Sequence, residues 1–348
     1  MDMSIRFPGL GIEFEYVARA FQIYGIEISI YGVLTAVGML IGLAFMVLEA
    51  KRAKENVNQC LMSFIWAVIG GVIGARLFYA VFAWEQFRDN YLDLFKVEQG
   101  GMAIYGGIFG AAILVAAYCR VRKVRFGRMA DYASIGLVTA QMIGRWGDFF
   151  NRESFGDYTD TMFAMQLPLA SVRTGEVTAL MRENLVTIDG ASYIQVHPAF
   201  LYESVWCLIL LLVLLGYLRR RKFDGEVFMV YLTWYGFGRF FIEWLRTDQL
   251  LIPGIRISVS LLISAALFFV FGIVSNVERS MMRKREKLRK SRNEAYYEAE
   301  EKMAAEQDEK DAVKDSVKTE ELETAEESVE ENVDTEAVGK EEAEPEQE

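Results

Sequence analysis

Apolar residues along the chain gather into seven windows, which polar or charged connections separate. A helix needs about 20 apolar residues to cross ~30 Å of hydrocarbon, because each residue rises ~1.5 Å. The pattern therefore predicts an all-α polytopic membrane protein with about seven transmembrane helices. The windows are residues 28–48, 61–75, 101–119, 132–143, 199–218, 227–245 and 257–274.

Basic residues occupy every second connection between these windows, and Lys and Arg are retained on the cytoplasmic side of a membrane. We therefore expect the N-terminus outside and the C-terminus in the cytoplasm. The external side would then receive residues 84–100, 148–196 and 246–256. The basic connections are residues 51–54, 120–128, 219–222 and 279–290.

The connection at residues 148–196 is long enough to form a small external cap between the fourth and fifth spans. Connections longer than ~15 residues are usually functional. Its alternating apolar residues and the pair Asp189-Gly190 predict short strands joined by a hairpin.

The negative charge of this 348-residue chain lies in its C-terminal tail. Residues 301–348 contain twenty acidic residues and five lysines, a net charge of −15, whereas the whole chain carries −11 and residues 1–300 therefore carry +4. Such a tail cannot bury enough apolar surface to offset its chain entropy. We expect a seven-span membrane domain at residues 1–277 and a basic, then acidic, largely disordered cytoplasmic tail at 278–348. A solubilising and an interaction role both remain open for the tail.

The cysteines and the single histidine give little indication of a metal site. Cys60, Cys119 and Cys207 lie in or beside apolar windows without CxxC spacing, which is typical of packing residues. One histidine, His197, cannot form a multi-histidine metal centre. We expect no metal, no organic cofactor and no nucleic-acid partner.

Charged side chains in or beside the windows are expensive, since an Arg at the centre of a membrane helix costs at least ~2.5 kcal/mol. The predicted topology places four of them towards the outer ends of their helices, which indicates a polar cavity open to the outer leaflet. Arg239 and Glu243 share a helix face and can pair; a purely structural and a functional pair both remain open. The four residues are Arg76, Arg145, Arg239 and Glu243.

The segment around Arg145 adds polar groups at the same depth, among them Asp148 and Glu153. A guanidinium fork binds phosphate oxygens bidentately and stays charged. Two converging arginines would suit a phospholipid head group. His197 precedes the fifth window and is either a hydrogen-bonded structural residue or a catalyst.

Four ordered motifs within residues 20–275 resemble the prolipoprotein diacylglyceryl transferase family. The resemblance implies a bacterial cytoplasmic (inner) membrane enzyme whose catalytic domain is residues 1–277. Such an enzyme moves the diacylglyceryl group of phosphatidylglycerol to the lipobox cysteine thiol of a prolipoprotein. The motifs are GGMAIYGG at 100–107, GRWGDFFNRESFG at 144–156, HPAFLYE at 197–203 and YGFGRFFIE at 235–243.

The reaction that the resemblance implies is the first step of lipoprotein maturation. It forms a thioether and releases glycerol phosphate. The implied partners are phosphatidylglycerol, the signal peptides of prolipoproteins and the lipid bilayer.

The resemblance also implies roles for individual residues. Arg145, Arg239, Tyr105 and Glu153 would be catalytic. Phosphatidylglycerol would be bound by Arg145, Arg239, Tyr31, Asp148, Gly156, Tyr235, Glu243 and His197.

Two residues depart from the family pattern. Tyr105 stands where members often have His, and Asp148 stands where they usually have Asn. The group that deprotonates the thiol is therefore open between Tyr105, Glu153, His197 and a thiolate that the arginines stabilise. A transporter of a small anionic solute is one alternative function, because intramembrane charges and glycine-rich helices also mark transport sites. An assembly scaffold is a further alternative.

Overall fold

The computed structural model describes residues 4–88, 101–249, 251–252, 254 and 257–338. Parts of two predicted external connections (residues 89–100, with Gly100 of the first motif, and residues 250, 253 and 255–256) lie outside the described residues, as does the end of the predicted tail. The chain forms two compact units, Met1–Arg279 and Ser280–Glu348.

Helices make up most of the described chain, and each of the seven apolar windows overlaps one long helix. The helices are α1 Ile30–Arg52, α2 Val57–Phe82, α3 Trp84–Phe87, α4 Ile104–Val121, α5 Phe126–Asn151, α6 Ala179–Glu183, α7 Ala199–Leu218, α8 Glu226–Leu245 and α9 Val259–Val338.

Five helices in the described part of the chain are long and apolar enough to cross a membrane: α1, α2, α4, α7 and the first part of α9. The protein is thus mostly helical, as a polytopic membrane protein is expected to be. The helices α5 and α8 contain the charged site residues, Arg145 in α5 and Arg239 and Glu243 in α8. A count of seven spans, and their orientation, stay predictions.

The helices of the first unit pack mainly in neighbouring pairs. α1 packs along α5, α2 packs along α4, and α7 contacts both α5 and α8. The apolar segment of α7 is 44% buried whereas that of α4 is 11% buried, so α7 is the most buried of these five helices. Cys60, Cys119 and Cys207 are free and buried in the helical core, which confirms the prediction that they are packing residues.

Among the residues that the structure describes, seven short strands accompany the helices, and all their pairings are antiparallel. Five strands form a sheet in the order β2-β1-β5-β7-β6, and β3 and β4 form a separate hairpin that leads into α1. The strands are β1 Ile5–Phe7, β2 Ile12–Phe14, β3 Ala20–Ile23, β4 Ile26–Ser29, β5 Met165–Pro168, β6 Val186–Ile188 and β7 Ala191–Val196.

The predicted hairpin at Asp189-Gly190 is confirmed, since β6 and β7 pair on either side of these two residues. Both have positive φ angles, 50° and 80°, as the tightest hairpin turns require. The external location of this sheet stays a prediction.

The sheet packs on the helix ends that carry the site residues. Ile5 of β1 and Leu167 of β5 share a core with Phe149 near the end of α5 and Phe200 at the start of α7. This second core holds the ends of α5 and α7 next to the sheet.

The second unit consists of the remainder of α9, which ends at Val338. Its described side chains are exposed, apart from the half-buried Met282. The division into a domain at residues 1–277 and a disordered tail stays a prediction.

Candidate active site

Arg145 lies near the end of α5, in the segment that the sequence indicates. The helix continues past this residue and ends at Asn151. Arg145 Nη1 donates a hydrogen bond to Asp148 Oδ2 at 3.0 Å, about one turn further on. Its Nη2 lies 2.9 Å from Oε1 of Glu203, near the start of α7. Arg145 thus links α5 to α7.

Arg239 approaches the same carboxylate from α8. Its Nη1 donates to Glu203 Oε2 at 2.7 Å, and its Nη2 donates to Glu243 Oε2 at 2.6 Å. The pairing of Arg239 with Glu243, predicted from their spacing, is confirmed. Glu203 therefore bridges two arginines from different helices. We call Arg145, Asp148, Glu203, Arg239 and Glu243 the ion-pair cluster.

Residues just beyond α8 extend the network. Arg246 donates to both oxygens of Asp248, at 2.8 and 2.6 Å, and to Ser154 Oγ at 2.9 Å. Ser258 Oγ donates to Glu243 Oε1 at 2.8 Å. Burial alone would raise the pKa of Asp248, but its hydrogen bonds from Arg246 outweigh burial and hold that pKa below its ordinary value. Asp248 is therefore ionised at neutral pH.

The carboxylates of the ion-pair cluster are buried more deeply than its guanidinium groups. The side chains of Glu203 and Glu243 are 4% and 3% exposed, whereas those of Arg145 and Arg239 are 23% and 14% exposed. Each guanidinium has five N–H donors, more than its ion pairs require. Both arginines therefore keep N–H donors and some exposed surface beyond their ion pairs with these carboxylates.

Gly156 lies where three segments of backbone meet beside the cluster. Its N–H donates to His197 O at 2.9 Å, and the N–H of Asp157 donates to Leu245 O at 3.0 Å. A Cβ on Gly156 would lie 2.8 Å from His197 Cβ and 3.0 Å from Leu245 O. The lack of a side chain therefore permits this close approach and fixes the end of α8 against the loop that follows α5.

His197 lies where the backbone segments around Gly156, His197 and Leu245 meet, which we call the backbone crossing. It does not belong to the ion-pair cluster. Its Nδ1 lies 3.3 Å from Tyr202 Oη, and its N–H donates to Asp157 O at 3.1 Å. Burial lowers the pKa of His197 below its ordinary value, although the charge of Asp157 opposes the shift. The imidazole is therefore neutral at pH 7.

Two tyrosines border the cluster. Tyr235 lies one turn before Arg239 on α8 and stacks on Tyr231, with ring centroids 5.7 Å apart. Tyr31 is the second residue of α1, and its ring lies against the backbone of α5: a Cβ on Gly147 would lie 3.1 Å from Tyr31 Cγ. Both tyrosines thus lie next to the helices that carry the two cluster arginines.

The side chains of Glu153 and Tyr105 do not take part in the ion pairs of the cluster. Glu153 accepts a hydrogen bond from Asn151 Nδ2 at 3.0 Å and pairs with Arg173 at 3.4 Å. Tyr105 is in the first turn of α4, which packs on α2. Within the described residues, neither side chain forms a hydrogen bond or ion pair with the two cluster arginines.

Glu203 and Arg246 were not predicted as site residues. Glu203 is the only charged residue of the fifth apolar window, a signal that could have identified it. Arg246 follows the sixth window and has no comparable signal. As for metals, no three His, Cys, Asp or Glu side chains of the described chain are grouped to hold an ion.

Comparisons with known proteins identify the family of the chain. The family model described as "Prolipoprotein diacylglyceryl transferase" matches residues 18–277. A relative from Clostridium botulinum (strain Langeland) is named "Phosphatidylglycerol--prolipoprotein diacylglyceryl transferase"; it is 36% identical, over 75% of this chain and 98% of its own length.

Relatives with the same name occur in other bacteria. One from Clostridioides difficile (strain 630) is 35% identical over 76% of this chain and 96% of its own length. Another, from Listeria innocua, is 37% identical over 69% of this chain and 82% of its own length. The chain belongs to the prolipoprotein diacylglyceryl transferase family.

Proposed function

We propose that this protein transfers the diacylglyceryl group of phosphatidylglycerol to the lipobox cysteine thiol of prolipoproteins. The names of its relatives give the two substrates and the transferred group. The products are a thioether-linked lipoprotein precursor and glycerol phosphate. Family membership favours this transferase over the alternative of a transporter for a small anionic solute.

The convergence of Arg145 and Arg239 is the observation that supports the proposal most directly. Their guanidinium groups contact the two oxygens of one buried carboxylate, at 2.9 and 2.7 Å. A phosphodiester presents charged oxygens with the same bidentate geometry. We infer that the phosphate of the lipid binds on the exposed side of these two arginines, with Glu203 behind them.

The reaction is a displacement at the carbon of the diacylglyceryl group that bears the phosphate. The cysteine sulfur forms the new C–S bond, the C–O bond to the phosphate breaks, and its electron pair leaves with glycerol phosphate. Negative charge grows on the phosphate oxygen during this step, and Arg145 and Arg239 stabilise it. Such preorganised donors are usually the largest single contribution to catalysis.

The thiol must lose its proton before or during attack, since the thiolate is the nucleophile. His197 is neutral and can accept a proton, while Glu153 has Arg173 as an ion-pair partner. The two arginines also stabilise a thiolate close to the phosphate. For Tyr105 we propose the role of a hydroxyl that orients the substrates. Tyr105→Phe tests this role: unchanged turnover would remove Tyr105 from the mechanism.

The remaining residues shape the lipid site. Asp148 and Glu243 fix the two arginines through the terminal nitrogens that Glu203 does not contact. Gly156 and His197 hold the backbone crossing beside them. Tyr31 and Tyr235 border the path of the head group.

The proposed setting is the bacterial cytoplasmic membrane, crossed seven times, with the ion-pair cluster towards the outer leaflet. The sheet and the rest of residues 148–196 then form the external cap, and the chain ends in the cytoplasm. The outer location would give the site access to phosphatidylglycerol in the bilayer and to the cysteine near the end of a signal peptide.

The decisive experiment uses the purified full chain, labelled phosphatidylglycerol and a lipobox peptide. We expect thioether-linked lipid on the peptide and release of glycerol phosphate. A peptide with Ser in place of the lipobox Cys is the matched control, which should stay unmodified. Absence of transfer, under conditions where a relative from Clostridium botulinum modifies the same peptide, would refute the proposal.

A further inference from the structure

A cationic cavity lies at the opposite end of α5 from Arg145. It has a volume of about 160 Å³ and opens between the start of α2 and the start of α5. This volume is several times the ~30 Å³ that one water molecule occupies in the liquid, so the cavity can hold a phosphate group. The polar residues that line it include Asn56, Gln59, Lys123, Arg125 and Arg128.

The cations of this cavity exceed the carboxylates that neutralise them. Arg128 donates to Glu55 at 2.5 Å and to Asp224 at 2.9 Å. Arg125 pairs with the other oxygen of Asp224 at 3.0 Å, yet its side chain is 64% exposed. Lys123 forms no ion pair with any residue that the structure describes. Three cations against two carboxylates leave a net charge of +1.

The backbone adds to this positive potential. The helices α2 and α5 are each 26 residues long, and the first turn of each helix borders the cavity. Each helix N-terminus contributes an effective charge of about +0.5. Asn56 caps α2 through the N–H of Asn58, whereas the residue that precedes α5, Arg125, provides no side-chain cap. The helix ends thus reinforce a preference for anions that the side chains already establish.

The position of the cavity indicates where its ligand comes from. Arg128 and Arg145 lie 17 residues apart on α5, which corresponds to about 25 Å along the helix axis. That separation is close to the ~30 Å thickness of the hydrocarbon core. If the ion-pair cluster lies at the outer interface, the cavity lies at the level of lipid phosphates in the inner leaflet.

The geometry points to this cavity as a second phosphate-binding site, which takes the head group of an anionic phospholipid and is separate from the candidate active site. Lys123 and Arg125 supply the exposed donors, and Arg128 is held behind them by Glu55 and Asp224. The inference does not depend on the proposed transfer reaction, since it concerns binding at the other end of α5.

The test measures binding of phosphatidic acid to the purified full chain in detergent, by native mass spectrometry and by the rise in melting temperature. The variant Lys123→Gln with Arg125→Gln should bind the lipid at this cavity about 25-fold more weakly, because each cation near an anionic lipid contributes about fivefold. Binding at the ion-pair cluster should stay unchanged. The matched control is Arg219→Gln with Arg220→Gln, which removes two exposed cations from the connection after α7. It should change binding less than twofold.

Three outcomes would overturn the inference: equal weakening in the two double variants, no weakening in either, or equally tight binding of phosphatidylcholine. Competition by inorganic phosphate at millimolar concentration would support the site but assign it to soluble phosphate instead of lipid. The single variant Lys123→Gln provides a check on folding, since Lys123 is exposed and has no ion-pair partner among the described residues. Its melting temperature without lipid should equal that of the unmodified protein.

Discussion

At the scale of single residues, the two arginines that face Glu203 determine what the site can do. We expect Arg145→Ala and Arg239→Ala each to lower the rate of transfer by about 10²–10³, as removal of a donor to developing charge typically does. The measurement is turnover of a lipobox peptide at saturating lipid. The exposed Arg182 of α6 offers a control, since Arg182→Ala should leave turnover unchanged. Retained turnover in both cluster variants would contradict the assignment.

Glu203 orients both guanidinium groups through its two oxygens. Glu203→Gln keeps the shape but removes the charge that aligns the arginines, so kcat should fall by about 10²-fold, the size of effect that a small misplacement produces. KM for the lipid should stay equal or fall, because the arginines keep their charge. The exposed Glu183→Gln variant is the control. A raised KM with unchanged kcat would show that Glu203 does not position the arginines for the chemical step.

His197 makes folding stability sensitive to pH in one window. Burial places its pKa in the folded state below the ordinary 6.5, so between these two values the unfolded chain binds more protons and stability rises with pH. Stability should therefore be lost as pH falls below about 6.5. Because His197 is the only histidine, His197→Gln should flatten the difference in melting temperature between pH 5.5 and pH 7.5. An unchanged difference would assign the pH effect to other groups.

The sequence predicts some of these contacts because they are local. Arg239 and Glu243 lie four apart on one helix, so their pairing follows from helical spacing alone. Glu203 is 36 residues from Arg239 and 58 from Arg145. Its bridge depends on how α5, α7 and α8 pack, which the apolar pattern does not specify. The central residue of the cluster was therefore not predicted, while its helical neighbours were.

At the scale of elements, glycines set the distance between α2 and α4. Gly70 and Gly74 of α2 face Gly106 and Gly110 of α4, and a Cβ on Gly110 would lie 2.8 Å from Gly74 Cα. Small residues four apart allow such close helix packing in membranes. The packing of α2 on α4 positions Tyr105, which lies in the first turn of α4.

We expect Gly110→Leu to destabilise the protein by about 1–3 kcal/mol, as overpacking of a tight contact does. Thermal unfolding in detergent, followed by circular dichroism, provides the measurement. Gly216→Leu is the matched control, because Gly216 lies on the exposed side of α7 where a Cβ would meet nothing within 4 Å. Equal melting temperatures for the two variants would mean that the α2–α4 contact tolerates separation.

Elements with a repeating signal were predicted from the sequence, and elements without one were not. The long apolar windows and the Asp189-Gly190 turn have strong local patterns. The strands β1 and β2 have three residues each, and β1 pairs with β5 across about 160 residues of chain, where Arg6 faces Gln166. Only the folded arrangement brings these segments together.

At the scale of the whole molecule, ion pairs at both ends of α5, α7 and α8 bear on the number of spans. Near one end Arg145 and Arg239 meet at Glu203. Near the other, Arg221 donates to Asp131 at 3.2 Å, and the same carboxylate accepts the N–H of Phe228 at the start of α8. The three helices therefore extend over the same thickness. If the apolar α7 crosses the membrane, α5 and α8 cross it as well, which favours seven spans over five.

Labelling of introduced cysteines separates these two topologies. Seven spans with the N-terminus outside place Gly175 outside and Arg220 inside, whereas five spans without α5 and α8 reverse both positions. A membrane-impermeant maleimide should therefore label Gly175→Cys in intact cells and Arg220→Cys only after permeabilisation. The native cysteines are buried and at most 1% exposed, so the unmodified protein provides a low background. The reversed labelling pattern would place the basic connection after α7 outside the cytoplasm, which contradicts the retention of Lys and Arg on the cytoplasmic side. It would also place Arg145 and Arg239 away from the outer leaflet.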